Sequence, residues 1–280
     1  MNHIPTTVSV PVPQGLRPRC AEATCFVRSN TPVNGEYRLL TLDAPEAILD
    51  CQPGQFFQLL CPQPDGEHPF LRRPMSIYGY DKAEGRLEFL YKVTGAGTRG
   101  LATLRAGDAF NVLGPLGQGF SMQDDWQNLM LVARGVGLAT LAPLARMARE
   151  KGRKLTAICS ARSPELTMSV DLFESYGAEV IIVHDKDGSS TPEALRPLIE
   201  ARIAKGDVDA FYTCGSSRLL RLLQDLGETH GIPGEIAMEQ QMACGLGMCQ
   251  ACVRSFRVGG RVIQRRVCRE GPVFPISEAM

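Results

Sequence analysis

The sequence predicts a β + α/β protein: an antiparallel β-barrel, then an α/β domain with a parallel sheet, then a small cysteine-rich module. Three observations predict it. Short apolar runs divided by turn residues fill the first part. Strand-length runs alternate with helix-length amphipathic runs from about residue 125. From Gly234 this periodicity stops, and four of the ten cysteines crowd into what remains. The 280 residues carry 30 Lys+Arg against 30 Asp+Glu. With no net charge the chain lacks the electrostatic driver for unspecific nucleic-acid or acidic-membrane binding. No apolar run reaches the roughly 20 residues that span a bilayer. Met1 to Arg19 lacks the basic start and apolar centre of a signal peptide. A cytoplasmic location is expected.

Residues 1–18, with Pro5, Pro11, Pro13 and Pro18, read as an extended arm. The first domain is expected over 19–124, with strands at Cys20–Arg28, Glu36–Asp43, Gln55–Cys61, Met75–Tyr80, Arg86–Val93 and Ala109–Leu113. Pro45, Pro53-Gly54, Asp65-Gly66, Glu84-Gly85 and Gly107-Asp108 supply the breaks, and a short helix is expected at Gly100–Leu104. Strands at this spacing indicate an antiparallel barrel or sandwich. The second domain is expected over 125–232. Its strands are Leu129–Ala133, Leu155–Ser160, Val180–Val183 and Ala210–Cys214. Its helices are Leu138–Glu150, Pro164–Tyr176, Pro192–Ala204 and Arg218–Leu226, with Pro192 at the favoured first helical position. Alternating strands and helices build a parallel sheet, and such sheets bind ligands beyond the carboxyl ends of their strands. Residues 233–280 are too few to bury a core of their own, so a covalent or metallic staple is expected.

The cysteines supply it. Cys244-x4-Cys249-x2-Cys252, followed by Cys268 after fifteen intervening residues, is the plant-type [2Fe–2S] spacing. One loop wraps three thiolates round a small anionic cluster, and Gly245 and Gly247 clear side chains so that N–H groups can face the sulfurs. Structural zinc prefers two separated pairs; zinc and free thiols are the alternatives. Cys20, Cys25, Cys51, Cys61 and Cys159 lie among apolar residues and read as small buried hydrophobes. A one-electron cluster beside a nucleotide-type domain suggests a converter between two-electron and one-electron chemistry, for which a flavin is the usual device.

Two segments suit a flavin nucleotide. Arg73-Pro74-Met75-Ser76 sets a guanidinium and a hydroxyl at a strand start, a pair able to hold a pyrophosphate. Gly95-Ala96-Gly97-Thr98 opens a short helix whose free N–H groups attract anions. In the second domain, Gly135-x-Gly137 lacks the third glycine of the dinucleotide fingerprint, and could still admit a nicotinamide dinucleotide, NAD or NADP. Arg162 follows the next strand and either meets an adenosine ribose or stays solvated. Cys214-Gly215 ends the last strand, where a thiol would face a nicotinamide. The four His, at 3, 68, 184 and 230, are isolated, and no general acid or base for an organic substrate stands out.

The order of these segments, Arg73-x-x-Ser76, Gly97-Thr98, Gly114-Pro115-Leu116-Gly117-Gln118-Gly119-Phe120, Gly135-x-Gly137 and Cys214-Gly215, resembles the ferredoxin-reductase superfamily. Glu239-x-x-Met242-x-Cys244-Gly245-x-Gly247-x-Cys249-x-x-Cys252 with Val267-Cys268-x-x-Gly271-Pro272-Val273-Phe274 resembles the electron-transfer subunits of B-type dihydroorotate dehydrogenases. The resemblance covers about residues 20–276. It implies an FAD-binding barrel, an NAD-binding α/β domain and a C-terminal [2Fe–2S] module. It further implies a hetero-oligomer with a flavin-containing catalytic dehydrogenase subunit. By the resemblance Arg73 and Ser76 hold the FAD diphosphate with Gly97 and Thr98 opposite, and Met75 and Ile77 lie near the flavin. A self-contained NAD(P)H-dependent reductase serving an oxygenase, and a redox subunit without nicotinamide chemistry, are the alternatives. The chain departs from the family at the nucleotide turn: Ala133 and Arg134 stand where glycines are usual, Thr140 and Ser216 where prolines are. A long Arg134 side chain either blocks the dinucleotide or, swung outward, attracts its phosphate; the added bulk of Ala133 favours blocking.

Overall fold

In the computed structural model, residues 20–63 and 66–280 are described. The expected arm over 1–18, and Asp65 of the expected turn, lie outside them.

The first domain is a seven-stranded antiparallel sheet of β1 (Ala21–Pro32), β2 (Tyr37–Asp43), β3 (Phe56–Leu59), β4 (Arg73–Ser76), β5 (Gly79–Asp81), β6 (Arg86–Lys92) and, after helix α1 (Ala96–Thr103), β7 (Ala109–Leu116). The spatial order is β4-β3-β7-β1-β2-β6-β5. The two edge strands are consecutive in the chain, so the sheet curls until only Ile77-Tyr78 separates its edges. Ile77 N–H donates to Gln55 O at 3.1 Å and Tyr78 N–H to Glu88 O at 2.9 Å, stitching this corner to both flanks. Alternation does the folding: Cys25 and Val27 of β1, Leu40 and Leu42 of β2, and Leu87, Phe89 and Tyr91 of β6 turn into one core around Phe57.

Two expectations are corrected here. The strand expected over Met75–Tyr80 is two strands, broken at that corner. The helix expected at Gly100–Leu104 begins earlier, at Ala96, because the Thr98 hydroxyl accepts the N–H groups of Thr94 (2.8 Å) and Gly95 (3.0 Å) and closes the turn. The glycines at 97 and 100, poor helix formers, disguise it.

The second sheet contains β8 (Asn128–Arg134), β9 (Lys154–Ala161), β10 (Glu179–His184) and β11 (Ala210–Cys214). Around it lie α2 (Gly137–Glu150), α3 (Val170–Ser175), α4 (Pro192–Ile203) and α5 (Ser217–His230). Helix α5 buries Leu219, Leu220, Leu222, Leu223 and Leu226, the i, i+3, i+4 stripe of a core-facing helix. Two caps bear out the reading of the chain: Thr191 accepts the Ala194 N–H and Ser216 the Leu219 N–H. The single helix expected over Pro164–Tyr176 is broken. A 3-10 turn at Pro164–Leu166 precedes α3, and Ser169 between them is left-handed at φ 63°.

The larger correction concerns the C-terminal part. Gly234–Ala237 is strand β12, parallel to β11. The chain then runs through the cysteine loop, the hairpin β13 (Val253–Val258) and β14 (Arg261–Arg266), and α6 (Val267–Glu270). It returns as β15 (Val273–Pro275), antiparallel to β12. The sheet order is β10-β9-β8-β11-β12-β15. Regular structure therefore continues past Gly234, in pieces of three to six residues too short to show a period. The module borrows its core as well: Phe256, Val267 and Phe274 are buried in one cluster with Phe211 and Leu223 of the α/β domain.

Candidate functional site

The two sheets and the segment leading into the cysteine loop meet at one cleft of about 290 Å³. The barrel contributes Phe56 from β3, Pro74, Met75 and Ser76 from β4, Tyr91 and Lys92 from β6, and Thr98 from α1. The α/β domain contributes Val136, Thr140 and Cys214. The segment after β12 contributes Met238, Glu239, Gln240 and Met242. Arg73 and Gly97 lie beside it and touch: a Cβ on Gly97 would come within 2.7 Å of Arg73 Nε. That glycine is what lets the guanidinium lie across the start of α1. Arg73 also donates to Leu71 O. The Thr98 hydroxyl is occupied in the turn and donates to Gly95 O at 3.0 Å, so its backbone is what it can offer an anion. The residues present fit a flavin nucleotide: a cation and helix N–H groups at one end, and an apolar slot of Phe56, Tyr91 and Met242 at the other.

A second cavity, of about 220 Å³, lies over the carboxyl edge of the parallel sheet and is lined by Tyr37, Lys92, Arg134, Gly135, Val136, Arg162, Gly215 and Glu239. Gly135 and Gly215 are left-handed, at φ 54° and 87°. Gly137 is required for a reason the motif hides: a Cβ there would lie 2.5 Å from the Cys214 carbonyl oxygen. The glycines thus pack two strand ends together at the switch point between β8 and β11. Arg134 does not fill the turn. It crosses the end of β9 and pairs through both guanidinium nitrogens with Asp185 after β10, walling the cavity with its charge already matched. That pairing and the Ser190 hydroxyl hold the Asp185 carboxyl below the usual carboxylate range. Arg162, 58% exposed at its side chain, donates to Glu36 at 3.0 Å and so ties the second domain to the barrel.

Cys214 lines the first cleft, and burial pushes its thiol up to about 12, with Glu239 adding to the shift and Thr140 opposing it. Glu239, Lys92 and Val136 line both cavities. Glu239 stood in the sequence only as part of a motif and Thr140 only as a departure from one, and Lys92 and Tyr37 carried no signal at all. Their role comes from the meeting of two domains. Burial pushes the Glu239 carboxyl up. Among the five cysteines expected to be buried, Cys25, Cys61 and Cys159 are; Cys20 is exposed at the start of β1 and Cys51 is half-buried.

The cysteine loop begins two residues beyond Met242. The four thiols gather as two pairs. Cys252 and Cys268 sulfurs are 3.2 Å apart, and Cys244 is hydrogen-bonded to Cys249. Burial raises the Cys244 thiol, but N–H groups of Cys249, Leu246 and Met248 outweigh it and bring it down to about 6. Gly245 (φ 71°) and Gly247 (φ 80°) turn those amides inward. Among the described residues no three His, Cys, Asp or Glu groups converge on a point that would hold a single metal ion. Two thiolate pairs within a ring of inward amides fit a two-iron, two-sulfide cluster, in which each iron takes two cysteines.

Comparison with known proteins agrees with this geometry. The "Oxidoreductase FAD-binding domain" family matches residues 24–120. The "Iron-sulfur cluster binding domain of dihydroorotate dehydrogenase B" family matches residues 239–279. The chain is 34% identical over 235 residues to the dihydroorotate dehydrogenase B (NAD(+)) electron transfer subunit of Enterococcus faecalis, covering 82% of this chain and 87% of that one. This chain belongs to the family of B-type dihydroorotate dehydrogenase electron-transfer subunits. Another member, from Desulforamulus reducens, is 31% identical over 241 residues, covering 84% of this chain and 89% of its own. The fold of the family is shared with an NADH-dependent reduced ferredoxin-NADP oxidoreductase, with a TM-score of 0.77 at 24% identity over 92% of this chain and 90% of that one.

Proposed function

We propose that this chain is an oxidoreductase subunit that carries electrons between NAD(H) and a catalytic dehydrogenase subunit through FAD and a [2Fe–2S] cluster. The observation that carries the reading is that one segment, Glu239 to Cys252, walls the flavin-sized cleft and then supplies three of the four clustered cysteines. When bound, FAD would supply two-electron acceptance and the cluster one-electron transfer.

The chain's own residues do the rest. Arg73, Ser76 and the amides around Gly97 would hold the FAD diphosphate, and Pro74 and Met75 would lie along β4 toward its ring end. Gly135, Gly137 and Gly215 bring the ends of β8 and β11 close enough for a nicotinamide to reach the flavin over Cys214. That thiol stays protonated and contributes packing. Arg162 and Glu36 hold the two domains at the mouth of the second cavity. Cys244, Cys249, Cys252 and Cys268 hold the cluster. Met248, between two of these cysteines, is 81% exposed, an apolar surface beside the cluster that suits a protein partner. Among the described residues no helix is long and apolar enough to cross a membrane. All ten cysteines are free, which suits a reducing cytoplasm.

The test is anaerobic purification with cofactor analysis. One FAD, two iron and two sulfide per chain, and a partner subunit that co-purifies, support the reading; zinc in place of iron refutes it.

A further inference from the structure

Gln58 lies in the middle of β3 and is fully buried. Both ends of its amide, Nε2 and Oε1, have no hydrogen-bond partner among the described residues. Burying an amide with neither end bonded is costly, and folded proteins seldom do it without a partner in the functional state. The direction of the side chain says where that partner lies. Gln58 shares a strand face with Phe56, which lines the flavin cleft, and stands one pleat further along. Its amide runs against Gly245, the residue after Cys244: a Cβ on Gly245 would sit 2.8 Å from Gln58 Cγ and 2.9 Å from Nε2. The other neighbour at that point, Leu116 Cδ1 at 3.2 Å, is apolar. The cysteine loop thus leaves out a side chain where the amide of a flavin-domain strand reaches it.

We propose that Gln58 donates its amide N–H to a bridging sulfide of the iron–sulfur centre. The inference rests on the reading of the cysteine loop as a cluster site. A donor aimed at a cluster sulfur stabilises the extra negative charge of the reduced form, so it raises the reduction potential. Gln58 would then link the flavin-binding strand to the ease with which the cluster takes its electron.

The experiment uses the purified holoprotein. Gln58→Leu, similar in shape without the donor, should lower the cluster midpoint potential in an EPR-monitored titration. The expected loss is about tenfold in the reduced-to-oxidised ratio at fixed potential, about 59 mV for one electron. Gln58→Met serves where the leucine variant holds no cluster. Pulsed EPR of reduced protein carrying 15N in glutamine side chains should show a nitrogen coupling. That coupling should vanish in these variants and survive Gln240→Leu, Gln241→Leu and Gln250→Leu. An unchanged potential in a cluster-bearing variant overturns the proposal, as does a wild type without glutamine coupling or a coupling lost in the other three variants. Absence of iron from the wild type would instead overturn the cluster reading itself.

Discussion

Arg73 and Arg134 look alike in the sequence, each a guanidinium beside a nucleotide-type turn, yet their surroundings give them opposite tasks. Arg73 lies against Gly97 with no carboxylate paired to it among the described residues. A charge-assisted bond from it to a diphosphate is worth about 1.5–3 kcal/mol. Arg73→Ala should therefore weaken FAD binding about 10- to 150-fold, read as flavin lost on dialysis. Arg134 is spent on Asp185. Removing it takes a positive charge from the wall of the cavity where a dinucleotide's phosphates would come, and leaves Asp185 with Arg218, 3.7 Å away, as its remaining cation. Arg134→Gly should raise the KM for NADH several-fold, and adding Asp185→Asn should bring it back, measured by anaerobic flavin bleaching. Faster reduction by Arg134→Gly alone would restore the blocking role that its length suggests. Sequence spacing singles out Arg73, Ser76 and the four clustered cysteines as candidates because each sits in a short motif. It had no access to the Arg134–Asp185 pair, whose partners are 51 residues apart. The same holds for Gln58, which reads as an ordinary polar residue in an apolar strand.

Among the elements, the strongly periodic ones were legible and the short ones were not. Most strands of the first sheet, β8 to β11 of the second, and helices α2, α4 and α5 follow from alternation, leucine stripes and caps. β12 and β15 escaped because strands of four and three residues leave no period, and their pairing joins segments separated by the whole cysteine loop. The hairpin β13–β14 turns on Gly259-Gly260, both left-handed, and a lone two-stranded hairpin is marginal in water. Its support is Phe256 packed 4.2 Å from Phe274 on one side and the thiol ring on the other. Cys249→Ser should abolish cluster assembly, since the metal is part of the folding free energy of such a module. Amide exchange should then accelerate across residues 239–270 while β8 and β9 keep their protection. Unchanged exchange in an iron-free variant would show that the packing alone holds the module.

For the molecule as a whole, function resides where three pieces meet, and Glu239 stands at that meeting point, lining both cavities. Its carboxyl is raised by burial, so the folded protein holds the proton to higher pH than an unfolded chain does. The sign follows: this group favours the folded state at low pH, and the benefit is lost as pH rises through its raised value. Charging it also places an anion beside the dinucleotide. The KM for NADH should rise with pH through that window, and Glu239→Gln should flatten the profile; a wild-type profile already flat would remove Glu239 from the site. The central claim is that nicotinamide, flavin and cluster form one electron path within this chain. It is tested most directly by mixing the oxidised holoprotein with NADH in an anaerobic stopped-flow instrument and following flavin and cluster absorbance together, with freeze-quenched EPR. The account predicts flavin bleaching followed by loss of cluster colour and the rise of a reduced [2Fe–2S] signal. Flavin that bleaches while the cluster stays oxidised, with the cluster reducible by dithionite, would contradict it.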